Sequence, residues 1–208
     1  MEITSELNDI KRAVHQIKRD GLEGIGLLLQ RSYLAELQDV WQALTEPEQL
    51  RRWFLPVSGE LGPGGSFQLE GNAGGSILKC EAPNLLRVTF GGPTSVVEVR
   101  LAEDAGQTAL EFEHNVDLET AGSGAGALFV GPGWDVALVA LGLFLAGRMT
   151  MDPSEWENTP EVREAAKVSI DAWAKAAETS GTATADQIEQ GVAVATAQFT
   201  EDPAADQG

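Results

Sequence analysis

The chain has 208 residues, enough for one medium domain with an extension or for two small ones. Its 14 Lys and Arg against 32 Asp and Glu leave a formal charge of -18, a field that repels phosphate backbones and anionic lipid headgroups and so argues against nucleic-acid or membrane-surface partners. Cys80 is the single cysteine, which rules out an intramolecular disulfide and a multi-cysteine metal site and fits a reducing cytoplasm.

The opening stretch, MEITSELNDIKRAVHQIK, carries acids early and lacks the uninterrupted apolar core of a secretion signal. Ile3, Leu7, Ile10, Val14 and Ile17 recur at helical spacing, yet the segment runs into Asp20-Gly21, a turn signal. A short helix followed by a strand into a hairpin reconciles the two. GIGLLLQRSYLA then has the length and apolar weight of a strand. A helical pair follows, the first helix with Asp39 near its start and carrying Val40, Trp41 and Leu44. In the second, Thr45 is the expected cap, with Pro47 just inside and Glu48 three residues on; it carries Leu50 and Trp53 and ends by Pro56.

From there the period changes to two. SFQLEG places Phe67 and Leu69 on one face, LLRVTF places Leu86, Val88 and Phe90 there, and VVEVRL sets Val97, Val99 and Leu101 opposite Glu98 and Arg100. ALEFEH sets Leu110, Phe112 and His114 opposite Glu111 and Glu113. Gly64-Gly65, Gly74-Gly75, Pro83-Asn84, Gly91-Gly92-Pro93 and Ala105-Gly106 separate the runs. The pattern predicts an antiparallel meander with one wet and one dry face.

A glycine-rich loop, AGSGAGALFVGPG, leads to WDVALVALGLFLAGR, which reads as a helix starting near Asp135 and stopping at Gly147. Its apolar run, Val136 to Gly147, is shorter than the roughly 20 residues that span a bilayer. A helix this apolar has to be covered on most of its circumference, and the dry face of the sheet is the large surface available for that. After Met151 the composition turns to Ala, Glu and small polar residues. Val162, Ala166, Ser169 and Trp173, then Ile188, Val192, Ala195 and Phe199, mark two helices joined through Gly181 and Thr182, thin in large apolar residues and therefore expected to dock on the main body or on a partner.

Strand, two helices, antiparallel strands and one long apolar helix predict an α+β fold in which a curved sheet wraps the helix and leaves interior volume, a common ligand site. The stretches VWQALTEPEQLRRWF, GELGPGGSFQLEGNAGGSILKCEAPNLLRVTF, LEFEH and GPGWDVALVALGLFLAG resemble the bacterial proteins similar to the activator of the ninety-kilodalton heat-shock-protein ATPase. That family lies in the SRPBCC superfamily, the helix-grip fold shared with START lipid-transfer domains and the birch-pollen allergen. The resemblance covers about Gly26 to Gly147, and the tail from Trp156 to Phe199 is similar to an extension of an actinobacterial subgroup. With the N-terminal pattern above, this divides the chain into residues 1–24 as an N-terminal helix or hairpin, 25–148 as the helix-grip domain and 149–208 as an acidic helical extension. The resemblance also implies that Trp53 lines the mouth of a cavity, with Phe54 opening the next strand and Arg51-Arg52 on the outer side; Trp53 as a plain core plug between helix and sheet is the alternative.

Few side chains offer chemistry. His114 shares a face with Leu110 and Phe112, so it points inward, either as a hydrogen-bonded structural residue or as a polar anchor for a ligand. His15 cannot complete a metal site with it, since zinc takes three or four ligands. Cys80 has no neighbouring base to lower its pKa and reads as a small core residue sharing a strand face with Leu78; Glu60, Glu70 and Glu81 read as solvated rim residues. GSGAG lacks the Lys-Ser/Thr ending of a phosphate loop and reads as an entrance loop or a plain connector. Trp134, Leu138, Leu141 and Leu145 form one helical stripe, either packing the core or roofing a cavity.

The cavity wall is thus expected from Trp53, Phe67, Leu69, Phe90, Val97, Val99, Phe112, His114, Trp134, Leu138 and Leu141, with no catalytic residue, metal or cofactor assigned. The leading expectation is non-catalytic binding of a hydrophobic small molecule, oriented by a polar group such as His114. Two others stay open: a protein-interaction, chaperone-linked or stress-regulatory module, with a partner or a second copy docking on the tail, and an enzyme resembling the polyketide cyclases and aromatases.

Overall fold

The computed structural model describes residues 3–19 and 22–201. Helix α1 (Ile3–Asn8) leads into strand β1 (Lys11–Arg19), which pairs antiparallel with β2 (Leu22–Tyr33). The Asp20-Gly21 turn expected between them lies outside the described residues. Helices α2 (Leu37–Thr45) and α3 (Pro47–Leu50) follow, then β3 (Val57–Gly59), β4 (Ser66–Leu69), β5 (Gly74–Glu81), β6 (Leu85–Thr89), β7 (Val96–Asp104) and β8 (Gln107–Asp117). After α4 (Leu118–Ala121) and a 3-10 turn (Gly124–Gly126) come α5 (Ala127–Leu145), α6 (Pro153–Glu157), α7 (Pro160–Ser180) and α8 (Ala185–Thr200).

Among the described residues the strands form one antiparallel sheet of eight, in the order β1-β2-β8-β7-β6-β5-β4-β3. The chain therefore adopts the α+β helix-grip architecture that its pattern predicts: the sheet curves around α5, and two further long helices follow it. Register enforces the dry face. Leu27 and Val97 flank His114, while Leu29 and Val99 flank Phe112, so each rung puts its apolar side chains on the α5 side.

Three elements depart from the sequence pattern. Helix α3 stops at Leu50, and Trp53 sits in the turn beyond it; Thr45 caps nothing, because its Oγ1 donates 2.8 Å to the Trp41 carbonyl and Glu46 takes the cap position. In β5 the register shifts between Ile77 and Lys79, so Ile77 and Cys80 both face inward and Leu78 is exposed. Gly74-Gly75 belong to this strand and do not form a turn, since a Cβ on Gly75 would lie 1.8 Å from the Thr89 carbonyl oxygen and no other residue fits there. Finally, α5 starts at Ala127, well before Asp135. Together with the 3-10 turn it runs 22 residues, by length and composition enough to cross a membrane; 56% of its most apolar 18-residue window is buried in the fold.

The early start puts Asp135 in mid-helix, wholly buried. Its carboxylate accepts from Arg12 Nε at 3.0 and 2.8 Å, from Trp173 Nε1 at 3.0 Å and from Ser169 Oγ. Arg12 in turn donates to the carbonyls of Ile10 (2.8 Å) and Leu7 (3.0 Å), so α1, β1, α5 and α7 converge on one carboxylate. Burial pushes the Asp135 carboxyl up to about 6, against the pull of Arg12, Ser169 and Trp173. Trp173 reaches it because residue 131 is glycine: a Cβ there would lie 2.5 Å from the indole. Helix α7 thereby seals the side of α5 that the sheet does not cover.

Removing one partner of a buried, hydrogen-bonded pair strands the other, so Asp135→Ala is expected to lose about 3–5 kcal/mol of unfolding free energy in urea titrations. Arg12→Met combined with Asp135→Leu should fall short of the summed single effects by about 0.5–3 kcal/mol. Strictly additive losses would show that the two side chains are not energetically coupled.

Candidate functional site

Between the inner face of the sheet and α5 lies an apolar cavity of about 170 Å³. The strands supply Phe67, Leu69, Ile77, Cys80, Leu86, Val88, Phe90, Val97, Val99, Leu110 and Phe112; α5 supplies Trp134, Ala137 and Leu138. The segment from α2 to β3 and beyond supplies Leu44, Thr45, Leu50, Trp53, Phe54, Val57 and Leu61. Exposure grades the wall. Val99, Leu110, Phe112 and Leu138 at the inner end are buried, whereas Phe54, Val57 and Leu61 are partly or largely exposed and form the mouth.

Local sequence explains why the space is empty. On α5 the residues facing the sheet are Trp134, Ala137 and Leu138, and the small Ala137 between two large neighbours leaves a recess in the roof. Phe112 and Phe90 close on the Trp134 ring, at centroid distances of 4.5 and 5.1 Å, and Phe67 lies 6.4 Å from Phe90, all within the range of favourable aromatic pairs. One turn further along α5 the space is filled. Tyr33 Oη donates 3.0 Å to the Leu138 carbonyl, the Arg31 guanidinium donates to the same oxygen at 3.2 Å and stacks 5.1 Å over the Tyr33 ring, and Glu6 pairs with Arg31. Arg31 and Tyr33 pack against α5 without lining the cavity.

Nine of the eleven residues expected at the wall line it: Trp53, Phe67, Leu69, Phe90, Val97, Val99, Phe112, Trp134 and Leu138. Leu141 is fully buried but does not line the cavity. His114 stands behind the wall: its Nδ1 accepts from Trp134 Nε1 at 3.1 Å, and Ser95 Oγ lies 2.8 Å from its Nε2. An indole N–H only donates, so the neutral ring carries its proton on Nε2 and donates to Ser95. Trp53 is both wall and plug; it is 5% exposed, its Nε1 donates 2.9 Å to the Ala43 carbonyl, and its ring stacks on Phe54 at 5.4 Å. Arg51 and Arg52 lie outside as expected, Arg51 paired with Glu48 and Arg52 placed 4.8 Å over the Phe144 ring.

The remaining candidates fall elsewhere. His15 sits on the outer face of the sheet with Nε2 3.0 Å from Glu113 Oε1. The GSGAG segment does not border the cavity; Gly124 donates its N–H to the Thr182 carbonyl at 3.0 Å, beneath the junction of α7 and α8. Pattern reading missed Ile77 and Cys80 because an extra residue in β5 breaks the alternation that carries the signal. It missed Ala137 because small residues carry no hydrophobic weight, although the position lies three after Trp134 on the same stripe.

Residues 35–145, just over half of the chain, match the family model of the Activator of Hsp90 ATPase homolog 1-like proteins. The crystal structure of CalU16 from Micromonospora echinospora aligns at 33% identity and a TM-score of 0.67 over 81% of this chain and 98% of that one. Its solution NMR structure aligns at 33% identity and a TM-score of 0.71 over 82% and 96%. The crystal structure of DynU16, a protein in the dynemicin biosynthetic locus, aligns at 23% identity and a TM-score of 0.52 over 62% of this chain and 49% of that one, a likeness of fold alone. No curated protein matches.

Burial lowers the His114 pKa from 6.5 to about 4, and protonation would set an N–H against the indole N–H of Trp134. The unfolded chain takes up this proton near 6.5 and the native state only near 4, so the stabilisation is complete above 6.5 and is lost as pH falls across that window, by roughly 3 kcal/mol in all. Asp135, with its raised pKa, works in the opposite direction over part of the same range, so the check is a difference. The stability advantage of the wild type over His114→Gln, measured by urea unfolding, should shrink between pH 7 and pH 4. A constant gap would mean that His114 is not held neutral in a dry site.

Proposed function

Since the chain belongs to the Activator of Hsp90 ATPase homolog 1-like family, within the SRPBCC helix-grip fold, we propose that it binds a hydrophobic small molecule in the cavity between the sheet and α5. The observation that carries this reading is the void itself, a space roofed by Ala137 and walled by aromatic and aliphatic side chains. Well-packed interiors keep few voids larger than a water molecule, and an unfilled one lowers stability, which a ligand would recover. In this reading residues 25–148 carry the pocket and the segment from 149 onward braces the back of α5.

Binding is favoured over a cyclase-like reaction because the group best suited to acid–base work, His114, is turned away from the cavity and engaged on both nitrogens. A carrier or sensor of an apolar compound in the cytoplasm is the role that follows. CalU16 and DynU16 place the same fold beside this chain, and the locus named for DynU16 makes a biosynthetic setting a reasonable place to look for the ligand.

Native mass spectrometry of freshly isolated protein tests this directly, since bound mass and subunit number are read together. The expected result is an adduct that organic solvent extracts. Ala137→Phe, which drives a ring into the cavity, should abolish the adduct and leave the circular dichroism spectrum unchanged. Protein that carries no adduct and gains no thermal stability from any apolar compound would overturn the reading.

A further inference from the structure

We infer that the cavity selects uncharged aromatic compounds of one or two rings whose inner end bears no hydrogen-bonding group, because the indole and hydroxyl donors on its wall, those of Trp53, Trp134 and Thr45, are already engaged inside the protein. This rests on the binding role proposed above and narrows it to a ligand class.

The polar side chains on the wall are few. Trp134 Nε1 donates to His114 Nδ1 at 3.1 Å, Trp53 Nε1 to the Ala43 carbonyl at 2.9 Å, and Thr45 Oγ1 to the Trp41 carbonyl at 2.8 Å. Both indoles therefore offer the cavity their carbon faces. Cys80 adds only a weak donor, and burial pushes its thiol pKa up, which keeps it uncharged. Among the described residues, no Asp, Glu, Lys, Arg or His lines the cavity. A ligand carboxylate or phosphate brought to the inner end would lose its water with nothing in return.

Size follows from the volume. An apolar cavity of about 150 Å³ takes benzene, so the 170 Å³ here accommodates one ring with substituents or two fused rings. A multi-ring scaffold or a long acyl chain exceeds that volume. Shape favours a flat guest, since Phe67, Phe90, Phe112 and Trp134 form contiguous ring surfaces suited to offset stacking. The mouth at Phe54, Val57 and Leu61 opens to water, so one polar substituent at the outer end is tolerated.

The test is an NMR titration of the full chain, following the indole N–H signals of Trp53 and Trp134, with naphthalene, 2-naphthol, 2,6-dihydroxynaphthalene, 2,6-naphthalenedicarboxylate, (2-naphthylmethyl)trimethylammonium and pyrene. Naphthalene and 2-naphthol should bind within a few-fold of each other, the hydroxyl lying at the mouth. The diol, which must bury one hydroxyl, should bind roughly 10- to 100-fold more weakly, and the dicarboxylate and pyrene should not bind measurably. The trimethylammonium compound should bind no better than naphthalene, because no carboxylate backs the aromatic wall. Diol, dicarboxylate, cation or pyrene binding as tightly as naphthalene would overturn the ligand class while leaving a binding function in place. No perturbation by any compound would overturn both. Ala137→Phe and, should that variant fail to fold, Cys80→Leu are expected to weaken naphthalene binding; undiminished binding in a folded variant would place the compound elsewhere and overturn the inference.

Discussion

Asp135 is a carboxylate in the middle of a nearly all-apolar helix, sealed from water, and the rest of the architecture is arranged around satisfying it. An isolated buried charge is prohibitively unfavourable, and four donor contacts from Arg12, Ser169 and Trp173 make it tolerable. Those donors come from β1 at the sheet edge and from α7 in the tail. The carboxylate thus fixes α5 against elements far apart in sequence, and it accounts for a tail whose own helices have little apolar surface with which to fold alone.

A helix held from behind need not rest on the sheet in front along its whole length. At the C-terminal half of α5, Arg31 and Tyr33 rise from β2 to meet the Leu138 carbonyl and fill the gap. Nearer the middle, Ala137 faces the aromatic strands and nothing fills it. The cavity is therefore the unfilled stretch of an interface that Arg31 and Tyr33 occupy elsewhere.

The indole and hydroxyl donors on the cavity wall follow one rule: each is paired on the protein side. His114 takes the Trp134 N–H and is itself held by Ser95, while the α2 backbone takes the Trp53 N–H and the Thr45 hydroxyl. Such pairing removes the desolvation penalty that unpaired donors would carry and leaves the interior chemically uniform. A single buried histidine in a strand of alternating pattern is consequently a second layer of structure, orienting a wall residue from outside the cavity.

Much of this was legible in one dimension. Alternation in β4, β6, β7 and β8 named the dry face residue by residue, and the continuous apolarity of the segment after Trp134 required a sheet to cover it. The motifs from Val40 to Gly147 carried the family. What local pattern could not encode were the events decided by partners distant in the chain: the bulge that turns Cys80 inward, the Asp135 site assembled from residues 123 and 34 positions away, and the engagement of His114 by Trp134. Periodicity tells which way a side chain points, because backbone geometry repeats. Whether it meets a neighbour, a plug or empty space depends on how far apart two separately specified layers come to rest, and that distance exists only once the chain is folded.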